Sequence, residues 1–215
     1  MIRRLIAIIA ALAGFVAATN TASAHPHVWV TIRSELLYAK DGAVTGIRHS
    51  WTFDDMFSAF ATTGLQKTGD TFTREALQPL AKVNIDTLKE YGYFTYAKVN
   101  GRQQKGPFGA ATDYWAEYHP KESVLTLHFT LPFKKPIKAT SLEIDVYDPE
   151  FFIDFAFADN NPVALVNAPA QCAATYEKPH DQFFSAQTLN QAFMSSEANI
   201  GMGASFANEI SVACP

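Results

Sequence analysis

Catalytic signatures are missing from this 215-residue chain. It has no H-E-x-x-H, no G-x-S-x-G and no phosphate-binding glycine loop, which removes the readable forms of zinc-protease, serine-hydrolase and nucleotide-dependent chemistry. Gly201-Met202-Gly203 is a lone Gly-x-Gly with no strand before it and carries little weight. Basic runs are lacking too. Seventeen Lys and Arg against 21 Asp and Glu give a net charge of −4, a poor basis for binding nucleic acid. The apolar stretch near the start is too short for a typical bilayer span, which takes roughly 20 residues, and no other segment is long and apolar enough to cross. No repeat or low-complexity linker marks a domain boundary. Cysteine is scarce: Cys172 and Cys214 stand alone, without a Cys-x-x-Cys or a neighbouring histidine. That disfavours a thiolate metal pair and leaves a disulfide as the simplest reading. Its loop of about 43 residues is worth roughly 4 kcal/mol in the chain-entropy account. Calcium is excluded at the one place that suggests it. Gly69 and Glu75 have the spacing of two EF-hand positions, but Gly64, Gln66 and Thr68 supply no carboxylate.

What is present begins with residues 1–24. Arg3 and Arg4, an apolar stretch from Ile6 to Ala18, and Ala22-Ser23-Ala24 have the order of a cleaved secretory signal peptide, an uncleaved anchor being the alternative. The expectation is a 25–215 single α+β periplasmic domain without a membrane span, stapled by Cys172 and Cys214.

Val28, Val30, Ile32, Leu36 and Tyr38 alternate with polar residues, and Ser34 is the gap in that face. Asp41-Gly42 is a hairpin signal, and Val44 to Phe53 supplies the partner strand. "DDMFSAFATTG" reads as a helix capped by Asp54, with Met56, Phe57 and Phe60 as its apolar stripe. Thr73 caps a second helix to Tyr91, with Leu77, Leu80, Ala81, Ile85 and Leu88 on its buried side, Gly92 at its stop, and a kink or late start at Pro79. Further strands are read in "YFTYAKV", "YWAEYH", "VLTLHFTL", both halves of "SLEIDVYDPEFFIDFAF" and "CAATYE"; a late helix is read over 187–196. The predicted fold is α+β: a mostly antiparallel β-sheet or sandwich-like core with two helices inserted after the first hairpin.

Cleavage after Ala24 would make His25 the first residue. A terminal amine and the Nδ1 of His25 can chelate one metal ion, and His27 completes or extends that arrangement. Pro26 has no N–H, so the amide-coordinated X-X-His clip is excluded. The alternative is a frayed terminus with two solvated histidines. A transition metal needs more than two imidazoles. If paired positions of the hairpin sum to about 83, as a tight Asp41-Gly42 turn implies, Val28 falls opposite Asp55. Asp54 and Asp55 thus become candidate oxygen ligands, one of them capping the helix. Asp148 beside Glu150 is a further candidate, or part of a polar turn. His49 reads as a satisfied core histidine, His128 as a surface residue, and His119 and His180 as loop residues.

"HPHVWV", "WTFDDMFS", "YGYFTY", "LHFTLPF" and "YDPEFFIDF", in that order over about residues 25–158, are similar to an uncharacterised bacterial periplasmic family of unknown function. That family is described as the periplasmic component of an ABC-type transport system associated with nickel/cobalt-type metal transporters. The resemblance implies a partner in the membrane, either a metal permease or ABC transporter subunits, and no established catalytic activity. Successive strands with few βαβ alternations depart from the two-lobed receptor such a label suggests. The functional expectation is a periplasmic accessory protein binding a divalent transition metal (zinc, nickel, cobalt or copper) through His25, His27, Asp54, Asp55 and Asp148. The alternatives are a metal-free module docking a permease, and a copper histidine-brace oxidoreductase.

Overall fold

A computed structural model describes residues 26–177 and 202–215. The signal-peptide segment, His25, His180 and the late helix at 187–196 lie outside the described residues.

Strand β1 (Val28–Tyr38) turns at Asp41-Gly42 into β2 (Val44–Phe53). Helices α1 (Asp55–Ala61) and α2 (Arg74–Glu90) follow, then a 3-10 turn at Gly92–Phe94. The remaining strands are β3 (Thr95–Val99), β4 (Arg102–Gln103), β5 (Thr112–His119), β6 (Val124–Ile137), β7 (Ser141–Val146), β8 (Ile153–Phe157), β9 (Val163–Val166), β10 (Ala173–Glu177) and β11 (Asn208–Ala213). The architecture is α+β and sandwich-like, with two mostly antiparallel sheets and two helices inserted after the opening hairpin.

The first sheet has the order β5-β6-β2-β1-β8, with β9 continuing the line of β8 along β1. Its hairpin register is Val30 opposite Phe53 through Leu37 opposite Gly46, the spacing the turn implies. The parallel pairing of β8 and β9 with β1 is not signalled by any local pattern. The second sheet has the order β10-β11-β7-β3-β4 and is antiparallel throughout. Cys172 and Cys214 form a disulfide beside the β10–β11 pair.

Alternation makes the core. Val30, Ile32, Leu36, Ile47, Trp51, Leu127, Phe129 and Leu131 bury one face of the first sheet, and Ile144, Val146, Ile210 and Val212 bury one face of the second. Leu77, Ala81, Ile85 and Leu88 of α2 join the same cluster. Leu80 is only partly buried. Thr73 accepts from the N–H of Ala76 as the N-cap, and Gly92 takes φ +61° beyond the helix end. The helix begins at Arg74 and includes Pro79, so of the expected kink or late start the late start is absent. Helix α1 departs from its expected stripe. Phe57 stacks on Phe53, but Met56 and Phe60 are 75% and 78% exposed, and only Ser58 is buried. Seven residues give too little length to bury a broad face.

The gap at Ser34 is filled from across the hairpin. Its hydroxyl bonds Nδ1 of the fully buried His49 at 2.9 Å, while Thr95 of the second sheet lies 3.4 Å from Nε2. The Thr95 hydroxyl donates to the Tyr93 carbonyl, so it accepts from Nε2–H and leaves Nδ1 to accept from Ser34. His49 is therefore a satisfied, neutral core histidine tying the sheets together, and burial pushes its pKa down to about 3.

Candidate functional site

The hairpin brings the start of β1 alongside the end of β2, and the parallel pairing of β8 adds a third chain to that rim. Asp54 works at this junction. One carboxylate oxygen accepts from the N–H of Phe57 at 2.7 Å, capping α1, and the other accepts from the N–H of Trp29 at 2.9 Å. The Asp54 N–H donates to the Trp29 carbonyl, so residues 29 and 54 are joined by both backbone and side chain. Asp55 is exposed, and its carboxylate accepts from the N–H of Met56 at 2.9 Å.

Asp148 builds the neighbouring loop from inside. It is 6% exposed, and its carboxylate accepts from the N–H groups of Glu150, Phe152 and Ile153 at 2.9–3.0 Å. The loop so formed presents the Phe152 carbonyl to the His27 N–H at 2.9 Å. The His27 ring lies 4.7 Å from the ring of Phe152. A chain of contacts therefore runs from Asp148 through the loop to His27. Gly203 explains why a glycine follows so late in the chain. A Cβ there would lie 1.7 Å from the Asp148 carbonyl oxygen, so only glycine lets this segment close on the loop.

His27, Asp54, Asp55 and Asp148 thus occupy one end of the first sheet. Among the described residues, no three His, Cys, Asp or Glu side chains converge closely enough to hold a metal ion. Asp54 and Asp148 already accept backbone N–H groups with both oxygens, which makes them organisers of the two segments flanking His27.

Behind this rim lies a cavity of about 370 Å³. Val28 and Val30 of β1, Trp51 and Phe53 of β2, Phe57 of α1 and Leu88 of α2 wall it, and Tyr91, Phe94, Phe152 and Ile153 complete an apolar lining. Its polar lining is Asn84, Thr87, Asp148 and Glu150, with no cationic side chain. Trp51 is 1% exposed, and its buried Nε1 has no acceptor among the described residues. Sequence alternation places Trp51 inward but gives no warning of empty space in front of it. The available signal is its indole N–H, the polar atom of an inward residue flanked by His49 and Phe53.

Two further histidines, His119 and His128, lie together on the other face of the first sheet, both within reach of Glu117. His128 bonds Ser50 at 2.8 Å and Glu117 at 3.1 Å, and stacks on Trp115 with ring centroids 4.1 Å apart. Arg74 lies over the other partner in this stack, 4.3 Å from the Trp115 ring. His128 is thus half-buried instead of a plain surface residue, because a strand neighbour on the same face covers it. Desolvation, outweighing the Glu117 carboxylate, lowers its pKa. His119 ends β5 and bonds Thr126 at 3.0 Å.

The model of the family described as "Protein of unknown function (DUF1007)" matches residues 10–214. The chain belongs to the DUF1007 family. A relative, the "Uncharacterized 15.5 kDa protein in trpE 3'region" of Spirochaeta aurantia, is 32% identical over 95 residues. That match takes in 44% of this DUF1007 chain and 65% of the relative's length. No described helix is long and apolar enough to cross a membrane.

Proposed function

We propose that the protein is a periplasmic transition-metal-binding accessory of a metal transport system, delivering a divalent ion to, or buffering it for, a membrane permease or ABC transporter subunits. The observation that carries this reading is the anchoring of His27. Asp148 orders the loop whose Phe152 carbonyl binds the His27 N–H, and Asp54 fastens Trp29 two residues on. An imidazole held this way on a strand start needs little further ordering to become a ligand. His25 and His27 would supply nitrogen donors and Asp55 an oxygen, while Asp54 and Asp148 hold the surrounding backbone. Imidazole with carboxylate suits zinc, nickel, cobalt or copper, which enter as cargo. The disulfide supports export, since such bonds persist in oxidising compartments.

Calorimetry with each of the four metals on protein beginning at His25 tests this. His27→Ala should weaken binding at least about tenfold. One extra residue ahead of His25 should weaken it if the amine takes part, and equal affinity excludes the amine. Absence of binding for all four metals overturns the reading.

A second reading, a metal-free module docking a permease, is favoured by Met56 and Phe60. They are one helical turn apart on α1 and exposed. Copurification of the permease with the Met56→Lys, Phe60→Lys double variant as efficiently as with wild type would exclude it.

A further inference from the structure

A second cavity, of about 500 Å³, opens where the end of α2 and the turn after it meet the loop before β5. Its walls are tied to one another. Gly92, Tyr93 and Phe94 take φ of +61°, +57° and +47° in succession, an unfavourable conformation for two aromatic residues. The Tyr93 hydroxyl accepts from the Ala111 N–H at 3.0 Å, which joins this turn to the loop. The loop is joined in turn to β6. Gly109 N–H donates to the Pro132 carbonyl, Lys134 N–H donates to the Pro107 carbonyl, and Phe108 stacks on Phe133. That pairing brings the Lys134 side chain back to Gly106. A Cβ at Gly106 would lie 3.5 Å from Lys134 Nζ, so the ammonium rests close beside the loop backbone.

The charge around this cavity is one-sided. Lys89 and Lys134 line it, and among the described residues no Asp or Glu does. Residues 91–112 contain Lys98, Arg102 and Lys105, and residues 123–142 contain Lys134, Lys135 and Lys138, with no acidic residue in either stretch of a chain whose net charge is −4. Lys98 pairs with Glu143 and Asp145, and Lys138 pairs with Asp41. Lys89, Arg102, Lys105, Lys134 and Lys135 form no ion pair among the described residues. Lys89 has one ordinary role, opposing the carbonyl end of α2, whose dipole amounts to roughly half a negative charge. Two full positive charges exceed that, and the Leu88 and Lys89 carbonyls already accept from the Tyr91 N–H. No helix end accounts for Lys134, which stands on a strand.

We propose that this cavity binds a small organic dianion, a dicarboxylate or a phosphate monoester with a compact apolar body, between the ammonium groups of Lys89 and Lys134. Charge selects the head group: a dianion meets two cations and no carboxylate, whereas a cation would meet only repulsion. Lysine is a point charge with rotatable donors, so the same pair suits carboxylate and phosphate alike. Tyr93, Pro107 and Phe108 give the cavity apolar surface for the body of the ligand. The concave shape and the volume of about 500 Å³ are those of a small-molecule site, where a flat basic patch would suit a macromolecule. The cavity behind the rim is the converse case, with Asp148 and Glu150 in its lining and no cation, so the two cavities take different ligands.

Calorimetric titration of the purified protein with phthalate, phenyl phosphate and uncharged dimethyl phthalate tests this, at low salt and about pH 8, where the phosphate is dianionic. The expected result is saturable one-to-one binding of at least one dianion, at least about tenfold tighter than dimethyl phthalate and weakened by added salt. Which dianion binds identifies the head group. Lys89→Gln and Lys134→Gln should each weaken binding at least about fivefold, and Lys121→Gln, an exposed lysine outside the lining, by less than about twofold. All three lysines are exposed, so the unfolding midpoints should match wild type and a loss of binding is not a loss of fold. Failure of both dianions to saturate overturns the proposal, and so does equal affinity for dimethyl phthalate. Equal weakening by Lys121→Gln also overturns it, reducing the binding to diffuse surface charge. No metal enters these titrations and His27 is not in the lining, so this proposal and the metal reading stand or fall separately.

Discussion

The two ends of the first sheet are held by different physics. At one end, β1 and β2 close through Asp41-Gly42, where Asp41 accepts from the Ala43 N–H and Gly42 takes φ +79° against Pro169. Tyr38 beside this turn lies 3.7 Å from Cys214 Sγ, and the Cys172–Cys214 disulfide staples the neighbouring strands. At the other end no covalent link occurs among the described residues. Two carboxylates, Asp54 and Asp148, hold five backbone N–H groups between them, and a cavity of about 370 Å³ remains behind them. One end is closed by a bond and by packing. The other is organised by charge-assisted hydrogen bonds that fix backbone positions while leaving room for something to enter.

Breaking the stapled end should have the largest effect. Replacing both Cys172 and Cys214 by Ala is expected to lower stability by about 4 kcal/mol, as the linked residues are 42 apart in sequence. Urea unfolding of the oxidised protein and the double variant measures it. Binding at the open end, tested on the folded variant, should be unchanged, and loss of that binding would show that the two ends are not separable.

At the open end, Asp148→Ala leaves three backbone N–H groups without their acceptor and should cost about 3 kcal/mol. Amide hydrogen exchange locates the damage: protection should fall at Phe152, Ile153 and His27, and not at Tyr38 or Val44. Unchanged protection at His27 would sever the proposed path from Asp148 to the histidine.

Between the ends, His49 supplies a pH dependence whose sign follows from its burial. Its pKa is about 3 in the folded protein against about 6.5 when exposed, so the unfolded chain binds the extra proton first. The contribution is fully present above pH 6.5 and is lost as pH falls from there toward 3. Between pH 6.5 and 4.5 this amounts to about 2 kcal/mol, approaching 1.4 kcal/mol per pH unit. His49→Gln should flatten the profile by that amount when the two unfolding curves are compared. Identical slopes would mean that His49 is protonated in the folded state.

How much of this was legible in sequence differs along the same line. The stapled end was readable because its signals are local: a turn dipeptide, strict alternation and a lone cysteine pair. The meeting of β1 with Asp54 followed from the same turn, since a tight hairpin fixes which residues lie opposite. The Asp148 loop is different. It reaches His27 through the parallel pairing of β8 with β1, a contact between residues more than a hundred positions apart that leaves no local period. The cavity was invisible for a related reason: alternation says which face Trp51 takes and says nothing of what fails to fill the space before it. Helix α1 misleads in the opposite sense, because an apolar stripe predicts burial only when another element lies against it.

Asp54→Ala probes the carboxylate support more gently. It removes an N-cap and the acceptor for the Trp29 N–H, yet the backbone bond from Asp54 to the Trp29 carbonyl survives. The expected loss is about 1–2 kcal/mol. Asn at this position keeps one acceptor oxygen and should recover part of it. A loss as large as that of Asp148→Ala would mean that α1 itself is essential to the open end.

The smallest effect sharpens the comparison most, because it separates the open end's scaffold from its surface. Phe60 projects from α1 and is 78% exposed, while Leu77 of α2 is fully buried in the shared core. Phe60→Ser removes an aromatic ring that contributes little packing, so stability should stay within about 0.5 kcal/mol of wild type. Leu77→Ala, losing fewer atoms, should cost about 2–5 kcal/mol because a cavity is left in a packed interior. Equilibrium unfolding of the two variants side by side decides the point. If Phe60→Ser instead costs more than 1 kcal/mol, the ring is covered in solution and α1 packs against a second surface. If it does not, a large apolar side chain stands exposed on α1 without serving the fold, and its role must be sought in contact with another molecule.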